Sequence, residues 1–158
     1  MENTQTSERI IFYLENGEPR LRAKIKKIPQ KLEKPLKAVS MLKKHLWETE
    51  IALFGARKGE LLFPEQIGEE KVRKILREMK GKRLKWLLWL SLVFPLTFLL
   101  TPIPGPNVAY FYVLGRLILH FKSVKGIKQV LKEYQFIPVK NLEEYVRELD
   151  SEGNYVKI

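Results

Sequence analysis

The hydrophobic residues of this chain are unevenly distributed, and one uncharged stretch dominates the pattern. Thirty consecutive residues, Trp86 through Gly115, contain no Asp, Glu, Lys or Arg. A helix needs roughly 20 apolar residues to cross a bilayer core of about 30 Å, and buried helices of soluble proteins are seldom as long. The pattern therefore predicts a membrane segment with a polar arm on each side.

The uncharged stretch is interrupted by the heptapeptide TPIPGPN at residues 101–107. Proline lacks an amide donor and restricts the residue before it, so an unbroken helix cannot contain all three prolines. The predicted turn consists of Pro102, Pro104, Gly105 and Pro106. It separates two predicted helices, residues 84–101 and 107–121, with lengths of roughly 27 Å and 22 Å. These lengths allow either a hairpin that crosses the membrane or a re-entrant loop.

Shorter periodic segments occupy the polar arms. Residues 10–14 and 21–25 have strand-like patterns and flank the dipeptide Asn-Gly at residues 16–17, which is typical of a tight β-hairpin. Helical spacing of apolar residues is present in four segments: residues 30–47, 72–79, 127–134 and 142–149. Gly81 is the predicted C-terminal end of the second of these helices. Residues 55–65 are interpreted as a loop or a short extended segment.

These elements together predict a mainly α fold. Its centre is a membrane helical hairpin of two apolar helices joined by a proline-rich turn, with basic amphipathic helices and a small N-terminal β-hairpin around it. The predicted division of the chain is an N-terminal β-hairpin at 1–28, a basic helical arm at 29–83, the membrane hairpin at 84–121 and a C-terminal helical arm at 122–158. The alternative is a hydrophobic hairpin buried in a soluble protein, which would require the arms to cover almost every face of both helices.

Basic residues flank the uncharged stretch on both sides, in a chain with 29 Lys and Arg, 18 Asp and Glu and a net charge of +11. The connecting turn has no Lys or Arg, so the positive-inside tendency predicts a cytoplasmic (inner) membrane location with both termini on the cytoplasmic side. Membrane lipids are predicted partners, because basic residues beside an apolar segment attract anionic headgroups. The predicted headgroup contacts are Lys82, Arg83, Lys85, Lys122 and Lys125.

Polar residues on the second apolar helix are the predicted ion or proton pathway. Tyr112, Arg116 and His120 recur at every fourth position and therefore share one helical face, while Asn107 lies where the helix begins. A cation near a bilayer is costly unless it pairs, reaches the headgroups or lines water, which makes Arg116 a functional candidate. His120 could relay protons because imidazole titrates near neutral pH. The alternative for Arg116 is simple anchoring, with its long side chain extended to the headgroups.

The string PIPGPN at 102–107, followed by Tyr110, Arg116, His120 and Gly126, resembles the mitochondrial potassium-proton exchange-related proteins. The resemblance covers residues 96–131. It implies a membrane protein that is a component or regulator of cation and proton homeostasis. The first residues have no transit-like composition, which indicates a prokaryotic-type relative.

Other classes of function are less well supported by the sequence. Two short helices cannot enclose an ion pathway alone, which predicts a homo-oligomer or a membrane partner subunit. One alternative is a membrane-anchored structural or scaffolding protein without transport activity. Another is a basic nucleic-acid-binding module, which is not favoured because a basic arm beside an apolar stretch also suits anionic lipids. The chain has no cysteine, and no enzymatic motif, cofactor or metal site is indicated.

Overall fold

The computed structural model describes residues 8–23, 31, 35, 49–50, 52–54, 56–100 and 108–151, which we call the described part of the chain. Its elements are, in order, β1 (Glu8–Glu15), β2 (Glu18–Ala23), β3 (Gly59–Pro64), α1 (Glu69–Thr97), a 3-10 turn (Phe98–Leu100), α2 (Val108–Glu133), β4 (Gln135–Val139) and α3 (Leu142–Ser151). Apart from residues 31 and 35, the predicted helix at residues 30–47 lies outside it, and so does the predicted turn at residues 101–107.

The four strands form one mixed sheet in the order β2-β1-β3-β4. Strands β1 and β2 are antiparallel, whereas β3 is parallel to both β1 and β4. Asn16 and Gly17, with φ angles of 54° and 81°, connect β1 to β2 because both accept the left-handed backbone of a two-residue turn. The predicted N-terminal hairpin is therefore present, but it is one edge of a larger sheet.

The sheet is covered on both faces, as the sequence of its central strand requires. Leu61, Leu62 and Phe63 of β3 are consecutive and all buried, a pattern typical of a parallel strand with no solvent-facing side. Leu61 and Phe63 pack in the main core with residues of α1 and α2, whereas Leu62 packs against Leu142 of α3. The sheet is thus the middle of three layers.

Helices α1 and α2 form an antiparallel pair, which we call the helical hairpin. Near the sheet, Arg73 Nη1 donates a hydrogen bond of 3.1 Å to the carbonyl oxygen of Leu131. At the far end, the rings of Phe94 and Tyr110 have centroids 5.5 Å apart. With 29 residues, α1 is about 44 Å long, so only its first half lies over the sheet and the second half projects beyond it.

The predicted mainly α fold built on a membrane helical hairpin is wrong. The described part of the chain contains three helices and a four-stranded sheet, and none of those helices is long and apolar enough to cross a membrane. The uncharged portion of α1, Trp86 to Thr97, has 12 residues, or about 18 Å, and that of α2, Val108 to Gly115, has 8, or about 12 Å. The rest of each helix is charged, and its apolar stripe packs on the sheet.

Two boundaries also differ from the sequence predictions. Helix α1 does not end at Gly81 but runs through it to Thr97, because packing of the helical hairpin on both sides of this position outweighs the low helix propensity of one glycine. Strand β4, which contains Pro138, is not among the predicted elements. It forms the outer strand of the sheet, where a proline is tolerated.

Candidate functional site

A group of ionisable and polar side chains lies inside the helical hairpin, at the level where it leaves the sheet. We call it the Arg83 cluster; its members are Glu50, Arg83, Arg116, His120 and Ser123. Arg83 comes from α1 and three members come from α2, while Glu50 comes from a short helical stretch at residues 49–50. The apolar core of the sheet lies on one side of the cluster and the uncharged ends of both helices lie on the other.

Helical spacing explains why Arg83 points inward. Val72, Leu76, Met79 and Arg83 follow one another at intervals of four, three and four residues, so they lie on one face of α1. The first three pack in the main core. The side chain of Arg83 is consequently only 12 % exposed, whereas its neighbour Lys82 is exposed.

Glu50 neutralises Arg83 inside the protein. Arg83 Nη1 donates to Glu50 Oε1 in an ion pair, and Ser123 Oγ donates to Glu50 Oε2. Both carboxylate oxygens are therefore engaged, and the Glu50 side chain is 7 % exposed. A buried charge is tolerated when it is paired and hydrogen-bonded in this way.

Gly126 allows the segment that carries Glu50 to approach α2. A Cβ atom at position 126 would overlap the carbonyl oxygen of Leu53 and lie 3.0 Å from its carbonyl carbon. Two further contacts hold this segment to α2: Lys122 Nζ lies 5.6 Å from the ring centroid of Phe54, and Gln129 Nε2 donates to the carbonyl oxygen of Arg57 at 3.0 Å. The absence of a side chain at Gly126 thus helps to bring Glu50 within reach of Ser123.

Arg116 and His120 complete the cluster, and no described residue forms an ion pair or hydrogen bond with either side chain. His120 is 6 % exposed, and within the described part of the chain neither ring nitrogen has a hydrogen-bond partner. Burial, followed by the positive charges of Arg116 and Arg83, lowers the pKa of His120 to about 4. The imidazole is therefore neutral at pH 7. Arg116 is half-buried, and no ion pair joins it to another described residue.

Arg83 remains a cation despite its surroundings. Burial, and then the charge of Arg116, lowers its pKa to about 10, which still leaves it protonated at pH 7. The cluster thus contains two guanidinium groups and a single carboxylate, and that carboxylate is bonded to Arg83 and Ser123. Such an arrangement can accept an anion beside Arg116, or a proton on His120 once a nearby positive charge is compensated.

The structure brings together only some of the predicted site residues. Arg116 and His120 adjoin Arg83, whereas Tyr112 is 40 % exposed, further along the same helix. Asn107 and the four predicted turn residues, Pro102, Pro104, Gly105 and Pro106, lie outside the described part of the chain. Among the predicted headgroup contacts, Lys82, Lys85 and Lys125 are exposed, Lys122 is half-buried over Phe54, and Arg83 is directed inward.

Sequence reasoning missed Glu50 and Ser123 altogether. Glu50 is separated from Arg83 by 33 positions and from Ser123 by 73, and no periodic pattern links residues that far apart. Arg83 could have been recognised as buried, because it continues the apolar spacing of Val72, Leu76 and Met79. The described residues contain no group of three or more His, Cys, Asp or Glu side chains able to hold a metal ion.

A second concave feature lies at the carboxyl ends of the parallel strands, where open α/β sheets commonly bind ligands. It is an open cleft of about 900 Å³. Its lining includes Tyr13, Leu14, Gln66, Lys140, Glu144 and Arg147. These side chains carry both signs of charge and are largely exposed, so the cleft favours no single ligand chemistry. The Arg83 cluster, which holds a buried imidazole with no hydrogen-bond partner among the described residues, is the stronger candidate.

Comparison with known proteins agrees with the resemblance noted in the sequence. The model of the family described as mitochondrial K+-H+ exchange-related matches residues 6–133, a range that contains every member of the Arg83 cluster, both helices of the helical hairpin and strands β1 to β3. Searches of curated proteins and of solved structures gave no match. The resemblance is confirmed over most of the chain, and this protein belongs to the mitochondrial K+-H+ exchange-related family.

Proposed function

We propose that this protein is a component or regulator of a system that exchanges potassium for protons across a membrane. Family membership supports the general role. The observation that carries the proposal for this chain is the buried imidazole of His120, which lies beside the cations Arg116 and Arg83 and has no hydrogen-bond partner within the described part of the chain. Each unpaired buried polar group costs about 1–3 kcal/mol, and strongly perturbed groups of this kind concentrate at functional sites.

The arrangement of charges supports a role in responding to protons. His120 is flanked by Arg116 on its own helix and by Arg83 on α1, and both cations oppose its protonation. Glu50 and Ser123, the other polar groups of the cluster, are bonded to each other. If an anion pairs with Arg116, or if the guanidinium moves into water, the pKa of His120 rises toward its ordinary value of about 6.5. Proton occupancy of His120 is then coupled to the state of Arg116.

The same contacts favour a regulatory role over a carrier role. Potassium is bound by oxygen atoms, and the carboxylate of the cluster already uses both of its oxygens for Arg83 and Ser123. The two cationic guanidinium groups of the cluster would also repel a metal cation. We therefore place ion translocation in a partner subunit and the response to protons in this chain. A scaffolding protein with no role in exchange is the competing hypothesis.

Potassium-dependent proton flux tests the proposal. It should be measured with a pH-sensitive dye in sealed membrane vesicles from cells that produce the protein and from cells that lack it. We expect a lower flux, or a flux with altered pH dependence, in the vesicles that lack it. The wild-type chain should restore normal flux, whereas the double variant Arg116→Gln, His120→Gln should not.

The matched control is Lys128→Gln, which removes one positive charge from an exposed position of α2. It should restore flux as fully as the wild-type chain. Thermal unfolding of the purified variants separates loss of function from loss of fold. Equal flux with and without the protein would refute the proposal and favour the scaffolding hypothesis.

A further inference from the structure

We propose that the outer face of the far half of α1 docks on the surface of a bilayer that contains anionic lipids, without crossing it. This inference deepens the proposed function, on which it rests for the presence of a membrane, by naming the surface and the lipid class. The face in question, which we call the outer stripe, consists of Trp86, Trp89, Leu92, Leu96 and Leu99.

The outer stripe is continuous and exposed. Its members follow one another at intervals of three or four residues, which aligns them on one side of the helix and of the 3-10 turn after it. Leu92 is 71 % exposed and Leu99 is 74 % exposed. The opposite side of α1, with Leu87, Leu90 and Phe94, is half-buried. Within the described part of the chain, the outer stripe is therefore an apolar surface with no cover, and such surfaces mark interaction sites.

The charges around the outer stripe select the occupant. The sequence from Met79 to Lys132 contains nine Lys and Arg residues and no Asp or Glu. Lys82 and Lys85, which precede the outer stripe on α1, are exposed. The headgroups of an anionic bilayer would pair with these lysines, while the acyl region of the bilayer would accept the leucines. A second copy of the chain, in contrast, would bring two basic regions together with no acid from this segment to compensate them.

The order of residues along α1 also matches a bilayer interface. Lysines come first, then Trp86 and Trp89, and then leucines, so a helix that rests obliquely on one leaflet would place them in turn at the headgroups, the interface and the upper acyl region. Tryptophan is enriched at such interfaces because its ring is largely apolar while its N–H remains a hydrogen-bond donor. The uncharged part of α1, at about 18 Å, is shorter than a bilayer core of about 30 Å. Binding at one surface accounts for this length.

Sedimentation of the purified full-length protein with vesicles tests the inference. We expect binding to equimolar phosphatidylcholine and phosphatidylglycerol, and weaker binding to phosphatidylcholine alone. Raising the salt concentration should weaken binding to the anionic vesicles, because ionic screening acts on exposed charges. The double variant Leu92→Glu, Leu96→Glu should reduce the binding constant at least about tenfold, since it places two carboxylates in the apolar contact.

The matched control is the double variant Gln135→Glu, Asn141→Asp. It makes the same change of charge at two exposed positions away from the outer stripe, one in β4 and one just before α3. It should bind like the wild-type chain. Both double variants should unfold at the wild-type temperature, because all four positions are exposed.

Three outcomes would overturn the inference. The first is equal vesicle binding by the leucine double variant and the control double variant. The second is equal binding of the wild-type chain to neutral and anionic vesicles. The third is no vesicle binding by a chain that self-associates through the outer stripe. The last outcome would assign the surface to a second copy. Because the assay uses purified protein and measures no ion flux, its failure is distinguishable from failure of the proposed exchange function.

Discussion

Arg83 and Glu50 form a buried ion pair between residues 33 positions apart in sequence. The pair lies where the helical hairpin changes from a core helix pair to a projecting one. The pair is a structural contact. Because it lies beside Arg116 and His120, it also contributes to the electrostatic environment of His120, the proposed proton-responsive group.

We expect Glu50→Ala to lower the free energy of unfolding by about 3–5 kcal/mol, because it leaves Arg83 as an unpaired buried charge. Denaturant titration measures the loss. Glu69→Ala is the matched control: Glu69 pairs with Arg73 at 2.8 Å, and the two side chains are 48 % and 30 % exposed, so its loss should stay below about 1 kcal/mol. Similar losses for the two variants would show that the Arg83 pair is not shielded from water.

We expect Gly126→Ala to destabilise the protein by about 1–3 kcal/mol, since the new methyl group would overlap the Leu53 carbonyl. Gly81→Ala provides a control of opposite sign. Its Cβ would meet open space, so the higher helix propensity of alanine should stabilise α1 by up to about 1 kcal/mol. Thermal unfolding distinguishes them. Gain of stability in both variants would contradict the close approach at Gly126.

His120 should make stability fall in mild acid. Its pKa is about 4 in the folded protein and about 6.5 when unfolded, so the unfolded state binds more protons between these values. Stability from neutral His120 is complete above pH 6.5 and is lost as pH falls through 4, by up to about 3 kcal/mol. Denaturant titrations at several pH values should show a smaller acid loss for His120→Phe than for wild type; identical losses would contradict the assignment.

The same substitution should also raise stability at pH 7. Phenylalanine fills a similar volume and removes two unpartnered ring nitrogens, whose burial costs about 1–3 kcal/mol each. A stabilising His120→Phe that also impairs proton-dependent flux would indicate that the imidazole is retained for function at the expense of stability. A destabilising effect at pH 7 would mean that the ring nitrogens have partners in solution.

Arg116 should hold down the pKa of His120. We expect Arg116→Gln to raise this pKa, because it removes the larger of the two repulsive charges that oppose imidazole protonation. NMR titration of the imidazole carbon resonances measures the change. Lys128→Gln, a substitution at an exposed position of the same helix, should leave the pKa of His120 unchanged. An unchanged value in Arg116→Gln would place Arg116 too far from the ring to act on it.

Several features could be predicted because their cause lies within a few residues. The Asn16-Gly17 turn follows from two residues that accept positive φ angles. The helix after Asn141 follows from its apolar spacing, and α3 begins at Leu142. Arg116 and His120 share a helical face because they are four residues apart. The family resemblance rested on a short motif and on these positions, and it extends over residues 6–133.

The sequence by itself therefore determined the local turns and helical stripes and which side chains share a helical face, since these depend on backbone geometry over one or two turns. Only the tertiary structure decided that β3 and β4 join the hairpin strands, that α1 continues through Gly81, and that Glu50 reaches Arg83 and Ser123. Those outcomes depend on contacts between distant segments, where burial of the apolar stripe of α1 against the sheet outweighs local propensity.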